Sequence, residues 1–132
     1  MEKSIDVVYD PNETREKFEN RMRAKGFSIV YPKNSELQID IDDTAQFEVF
    51  YRTFEILKRN VIGEIKVKRT VSRNGGTHIV LTLPFILDTI TRIALQASLG
   101  SDPVRELLST LRYINGDIHP TLFVEKEVLN ED

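Results

Sequence analysis

The chain has 132 residues, a net charge of −3 and no cysteine, with 40% hydrophobic and 30% charged residues. This is the make-up of one globular domain with a single core, expected to span residues 1–132. It excludes disulfides, iron–sulfur clusters and thiolate zinc sites, and the acidic balance argues against a strong non-specific nucleic-acid binder.

No apolar run is long enough to span a bilayer, and the N-terminus lacks the apolar core of a signal peptide. A cytoplasmic protein with no membrane partner is therefore expected. The charge is uneven along the chain. Lys58, Arg59, Lys66, Lys68, Arg69 and Arg73 form a basic stretch around the single acid Glu64, whereas Glu125, Glu127, Glu131 and Asp132 make the end acidic. A local basic strip of this kind suits phosphates or a solvated surface.

Residues 5–9 read as a short strand or an ordered arm, and Pro11-Asn12 as a turn and helix cap. Residues 13–25 are charged, with Phe18 and Met22 four apart, which predicts a helix with a narrow apolar stripe that Gly26 ends. Residues 27–31 read as a strand, followed by a turn at Pro32. Together these make residues 1–35 an N-terminal helix–strand extension.

Residues 36–43 carry the strongest functional signal. Leu37, Ile39 and Ile41 alternate with Glu36, Gln38, Asp40 and Asp42, the period of a strand with one apolar face. Two carboxylates at i and i+2 on the other face repel at neutral pH, and a divalent cation with a preference for hard oxygen donors removes that repulsion. One of Asp42 and Asp43 is expected to cap the following helix instead. Asp40 lies too deep in the strand for capping.

Residues 44–60 place Phe47, Phe50, Phe54 and Leu57 on one helical face, read as core. Residues 64–71 alternate again, with Ile65, Val67 and Val71 opposite Glu64, Lys66, Lys68 and Thr70. Asn74-Gly75 then signals a hairpin into an alternating run at 77–83. Asp88 caps a helix through Ile90, Ile93, Ala94 and Ala97, which Gly100 ends. Asp102-Pro103 starts another, whose apolar face is expected to be Val104, Leu107, Leu108, Leu111 and Ile114. Residues 121–125 read as the last strand, and the end from Asn130 as frayed.

From residue 36 the order is β-α-β-β-α-β. This predicts an α+β fold with a ferredoxin-like or RNA-recognition-motif-like sheet and helices on one face. Strand parity then assigns an open face bearing Glu36, Gln38, Asp40, Asp42, Glu64, Lys66, Lys68, His78, Val80, Thr82, Thr121, Phe123 and Glu125. With the last strand beside the first, Asp40, Asp42, His78 and Glu125 converge. Carboxylates, a histidine and nearby lysines suit metal-assisted phosphoryl transfer. A solvated polar sheet face is the plain alternative.

Three motifs in order resemble the archaeo-eukaryotic primase superfamily, which includes primase small subunits and primase-polymerases. They are Leu37-Gln38-Ile39-Asp40-Ile41-Asp42, then Ser72, Gly76 and His78 opening a hydrophobic strand, then Leu122-Phe123-Val124-Glu125. The resemblance covers residues 36–126 and implies a minimal catalytic core. It implies Mg2+ or Mn2+ held by Asp40, Asp42 and Glu125 as catalytic carboxylates. It implies nucleotide phosphates contacted by Ser72, Gly76 and His78, with Lys66 and Lys68 along the same face. A nucleotide triphosphate, a nucleic acid and a protein partner in a DNA replication assembly would be the partners. The chain departs from the family in carrying Glu125 where aspartate is common, and residues 92–106 match no family motif.

Each site residue also has a plainer role. His78 suits a structural strand histidine, and Lys66 and Lys68 suit edge-strand charges. Phe123 stacks a base or is covered by the N-terminal segment. Arg92, Arg105 and Arg112 read as solvated. The expectation is a primase-like nucleotidyltransferase core. The alternative is a non-catalytic nucleic-acid-binding or protein-interaction module with the same fold.

Overall fold

The computed structural model describes residues 13–71 and 75–126. The expectations placed on residues 5–9, Pro11-Asn12, Ser72, Asn74 and the end from Asn130 lie outside the described residues. Among the described residues the fold is α+β, with four helices and five strands in small antiparallel sheets.

The first helix, α1 (Arg15–Ala24), begins where the Thr14 side chain accepts the Lys17 N–H, and it buries Met22. It packs on β1 (Phe27–Val30). β2 (Glu36–Ile41) follows, then α2 (Thr44–Asn60). Asp43 is the α2 cap, accepting the Gln46 N–H at 2.8 Å. Of the Asp42-Asp43 pair, capping therefore falls to Asp43.

β3 (Lys66–Val71) and β4 (Thr77–Thr82) form the expected hairpin, and β2 adds to β4 to give the antiparallel order β2-β4-β3. Leu37 lies opposite Leu81, and Ile39 opposite Ile79, so the apolar sets of two strands share one face. That face, with Leu83, packs against Phe50 of α2, with Phe47, Phe54 and Leu57 around it. Each fully buried aliphatic side chain there contributes roughly 1.5–3 kcal/mol relative to exposure.

Two helices stand along the outer edge of β2. α3 (Thr89–Ser98) starts at the Asp88 cap, and α4 (Pro103–Ile114) starts at Asp102, whose side chain accepts the Val104 N–H. Gly100, between them, has φ +85°, and a Cβ there would lie 2.9 Å from the Gln46 carbonyl oxygen. Only glycine allows this close approach to the start of α2 without a shift.

The last strand, β5 (Phe123–Lys126), departs from the expected sheet. It pairs antiparallel with β1, and the main sheet has three strands. In a four-stranded ferredoxin-like sheet β5 would lie beside β2. That edge is already satisfied by the helices. The Gln38 N–H donates to Gln96 Oε1 at 2.8 Å and the Asp40 N–H to Ser101 Oγ at 3.0 Å. Arg92 donates to the Glu36 carbonyl at 2.9 Å, Arg105 to that of Gln38 at 2.7 Å, and the Asp102 N–H to that of Asp40 at 2.8 Å. A buried edge needs such partners, and with them in place a further strand has nothing to pair with. Arg92 and Arg105, expected to be solvated, are instead edge donors, and Arg92 is buried.

The β1–β5 ribbon lies against the polar face of the sheet. Gln38 donates its side-chain N–H to the Val30 carbonyl of β1 at 2.9 Å, and Phe123 of β5 stacks on His78 with ring centroids 3.6 Å apart. The face expected to be open is thus covered over Gln38 and His78.

The helices of this edge also turn an unexpected side inward. α4 buries Glu106 and Ser109, while Leu107 is 57% and Ile114 70% exposed. α3 buries Arg92, Ile93 and Gln96 and leaves Ile90 outside. The apolar stripe predicted as the inner face of α4 is largely its outer face. The reason is the strand edge, which demands polar side chains from whatever lies beside it.

Candidate metal centre

Asp40 leaves β2 toward the polar face, in register with His78 of β4, which in turn faces Thr70 of β3. The backbone of Asp40 is held on both sides. Ser101 accepts its N–H, and its carbonyl accepts from the Asp102 N–H and from Gln46 Nε2 at 2.9 Å. Gln46 also accepts the Asp42 N–H at 2.8 Å. One glutamine of α2 therefore fixes both aspartates of the motif, and the turn before α4 fixes the first again.

The result is a group of three carboxylates. Asp40, Asp42 and Asp102 each place one oxygen so that all three lie within 4.8 Å of one another. Like charges this close repel one another. Three hard oxygen donors fit magnesium or manganese, and the donor set contains no sulfur that would favour a softer ion.

Asp102 was not among the expected ligands. In the sequence it reads as a helix cap before Pro103, and it does cap α4 through one oxygen at 3.0 Å from the Val104 N–H. No local signal could have marked it, because its neighbour Ser101 meets Asp40 across 61 residues of sequence.

Glu125 takes a different place from the one expected. It reaches the polar face from β5, and its Oε2 lies 2.7 Å from His78 Nδ1 and accepts from the Thr70 hydroxyl. The other ring nitrogen, Nε2, lies 3.7 Å from Asp40 Oδ1. The four expected groups do converge, but Glu125 meets Asp40 through the imidazole and is not a member of the carboxylate cluster.

His78 is only 3% exposed. Burial lowers its pKa from the ordinary histidine value, and the hydrogen bond and charge of Glu125 oppose that shift in part. Phe123 lies on its ring at an interplanar angle of 4°, with the Arg105 guanidinium carbon 4.6 Å from the phenyl centroid. Phe123 is 2% exposed and is not placed to stack a base.

The remaining expected residues are more scattered. Lys68 and Lys66 are exposed and share the face of Thr70, but they lie opposite Val80 and Thr82, one and two same-face positions away from the His78 row. Gly76 precedes β4 and is half-buried, and Ser72 lies outside the described residues. A cleft of about 520 Å³ lies elsewhere, lined by Arg15 and Phe18 of α1 and Arg112 of α4. No helix among the described residues is long and apolar enough to cross a membrane.

Comparison of the chain with protein-family models, with curated proteins and with solved structures found no match.

Proposed function

We propose that the chain is a nucleotidyltransferase core of the primase type, with a divalent cation held by Asp40, Asp42 and Asp102. The single observation that carries this reading is the approach of those three carboxylates to within 4.8 Å. The motif order noted in the sequence supports it, and so does the position of Asp40 and Asp42 at the end of a strand, where α/β folds often place ligands.

A bound magnesium or manganese ion would neutralise phosphate charge and lower the pKa of an attacking hydroxyl. The chain's own residues do the rest. Ser101, Gln46 and the Asp102 N–H fix the backbone that carries Asp40 and Asp42. Lys66 and Lys68 offer point charges to a triphosphate lying along the exposed part of the same face. Asp102 takes the place in the metal set that the sequence offered to Glu125. A nucleic acid and a replication partner would complete such an assembly.

Calorimetric titration of ATP and dATP in the presence of manganese tests the reading. Wild type should bind with a metal-dependent signal, and Asp40→Asn and Asp102→Asn should each weaken it at least tenfold. Asparagine caps a helix as well as aspartate does, so Asp102→Asn removes the charge and keeps α4. Equal binding with and without metal, or an unaffected Asp102→Asn, would sink the proposal.

One observation favours a second reading, a protein-interaction module. The outer side of α4 exposes Leu107, Leu111 and Ile114, and Ile90 of α3 is exposed too. Exposed apolar side chains that gather on one surface mark contact sites. Sedimentation velocity over a concentration series checks it: self-association that Leu107→Lys removes supports a docking face, and a monomer throughout argues against self-assembly through α4.

A further inference from the structure

We infer that the outer edge of β3 is a docking site for an acidic peptide in extended form, which adds to the sheet as a further strand. The site lies at the other edge of the sheet from Asp40 and needs no metal.

The two edges of the main sheet are finished differently. In the order β2-β4-β3, β2 and β3 are the outer strands. The outer side of β2 is closed by side chains from α3, α4 and the turn between them. β3 pairs with β4 along its whole length, from Lys66 opposite Thr82 to Val71 opposite Thr77. In an antiparallel pair every second residue turns its N–H and C=O away from the partner strand. Among the described residues, no strand or side chain pairs with those outward groups of β3. A row of this kind is a template to which an extended peptide adds by main-chain hydrogen bonds.

The side chains along this edge set the chemistry of the partner. On the face toward α2, Val67 is 47% and Val71 63% exposed, although Val67 lies opposite the fully buried Leu81. Arg69, between the two valines, donates to the hydroxyl of the exposed Tyr51 at 2.9 Å. Apolar side chains of an added strand would take the cross-strand places beside Val67 and Val71 and cover them. On the other face Lys66 and Lys68 are exposed. Carboxylates of the added strand fit beside them. Next in that row is Thr70, which donates to Glu125. Glu125 already brings negative charge there, so a neutral residue fits beside Thr70. The partner is thus a segment in which apolar and acidic residues alternate.

The same charges select against other occupants. The β3 edge of a second copy would bring Lys66, Lys68 and Arg69 against the like set, and like charges across a strand pair are unfavourable. A nucleic acid would meet the cations but would leave the main-chain groups and the two valines without partners.

The test uses the full chain labelled with nitrogen-15, free of metal and nucleotide, and followed by nuclear magnetic resonance. It is titrated with a synthetic peptide alternating glutamate and valine, with the same peptide carrying lysine for glutamate, and with oligothymidylate. The glutamate peptide should shift the β3 amides and slow hydrogen exchange at every second one, the outward-facing set. Its affinity should fall as salt is added. The lysine peptide should bind roughly tenfold more weakly, since like charges across a contact cost affinity. The double variant Lys66→Glu, Lys68→Glu changes only exposed side chains, so the fold is kept, and it should reverse the preference between the two peptides.

No binding of the glutamate peptide, equal binding of the two peptides, or shifts without the alternating protection would each overturn the inference. Protection of β3 by oligothymidylate equal to that by the peptide would overturn it too and give the edge to nucleic acid. With no metal present, none of these outcomes touches the carboxylate site, and failure of that site to bind manganese leaves the β3 edge unaffected.

Discussion

α2 and α4 have the same kind of sequence and face opposite ways. Both are amphipathic, with apolar residues recurring at helical spacing. α2 turns its stripe inward, and Phe50 is 1% exposed against Leu37, Ile39 and their strand partners. α4 turns its stripe outward and buries Glu106 at 3% exposure. What differs is the surface that each helix meets. α2 meets the apolar face of a sheet, where burial of side chains is the gain. α4 lies beyond the edge of a strand, where unpaired N–H and C=O groups would each cost about 1–3 kcal/mol if buried without partners. Periodicity shows that a helix has two faces. It does not show which of them the neighbouring element needs.

The network behind α4 explains how its polar face can be the inner one. Glu106 accepts from Gln96 at 2.9 Å, from the Ser101 hydroxyl at 2.6 Å and from Arg105 at 2.7 Å. Those three side chains in turn serve Gln38 and Asp40 on the strand edge. The buried acid thus organises the groups that pair the edge, and the same edge carries the metal candidate Asp40. On this side of the molecule, structure and site are one hydrogen-bond network.

The sharpest test of the comparison is to damage each inner face. Phe50→Ala should be the most destabilising single change, by about 4 kcal/mol, from lost burial and the cavity left behind. Glu106→Ala should cost about 3 kcal/mol, because Arg105 is left partly buried without its acid. Chemical denaturation of both variants measures the two costs. If Glu106→Ala proves neutral, the polar face of α4 is not its inner face, and the contrast with α2 fails.

A finer test separates edge pairing from general packing. Gln96→Ala should cost about 2 kcal/mol, since it orphans the Gln38 N–H and takes a donor away from the Glu106 carboxylate. Hydrogen exchange should show the loss locally. The Gln38 and Asp40 amides should exchange faster, while the Ile39 amide, which faces β4, should change less. Uniform acceleration across β2 would mean that the strand is held by its sheet alone.

These contrasts mark what the sequence makes legible. The α2 stripe, the parity of β2 and β4, the hairpin at Gly75 and the caps at Asp43 and Asp88 all depend on residues close in the chain, and all are as expected. The pairing of β5 with β1, the roles of Arg92 and Arg105 and the inclusion of Asp102 depend on contacts between distant segments. Arg105 and Gln38 are 67 residues apart. No local pattern records such a partner. The site falls between the two cases. Parity placed Asp40 and His78 on one face, and Glu125 does reach it, but from a ribbon lying across the face and not from a strand within the sheet.

The smallest expected effect is the most pointed. Leu107 belongs to the predicted apolar face of α4 and is 57% exposed. A lysine there places its charge in water and keeps a good helix former in the helix. Leu107→Lys should therefore change unfolding free energy by no more than about 0.5 kcal/mol, as surface substitutions usually do. The measurement belongs at the lowest workable protein concentration, so that any self-association through this face does not add to the apparent stability. A leucine in the inner stripe of α2, such as Leu57, is half-buried against the core, and lysine there should cost several times more. Equal costs at the two positions would place the α4 stripe inside the protein, and the opposed orientation of the two helices would no longer hold.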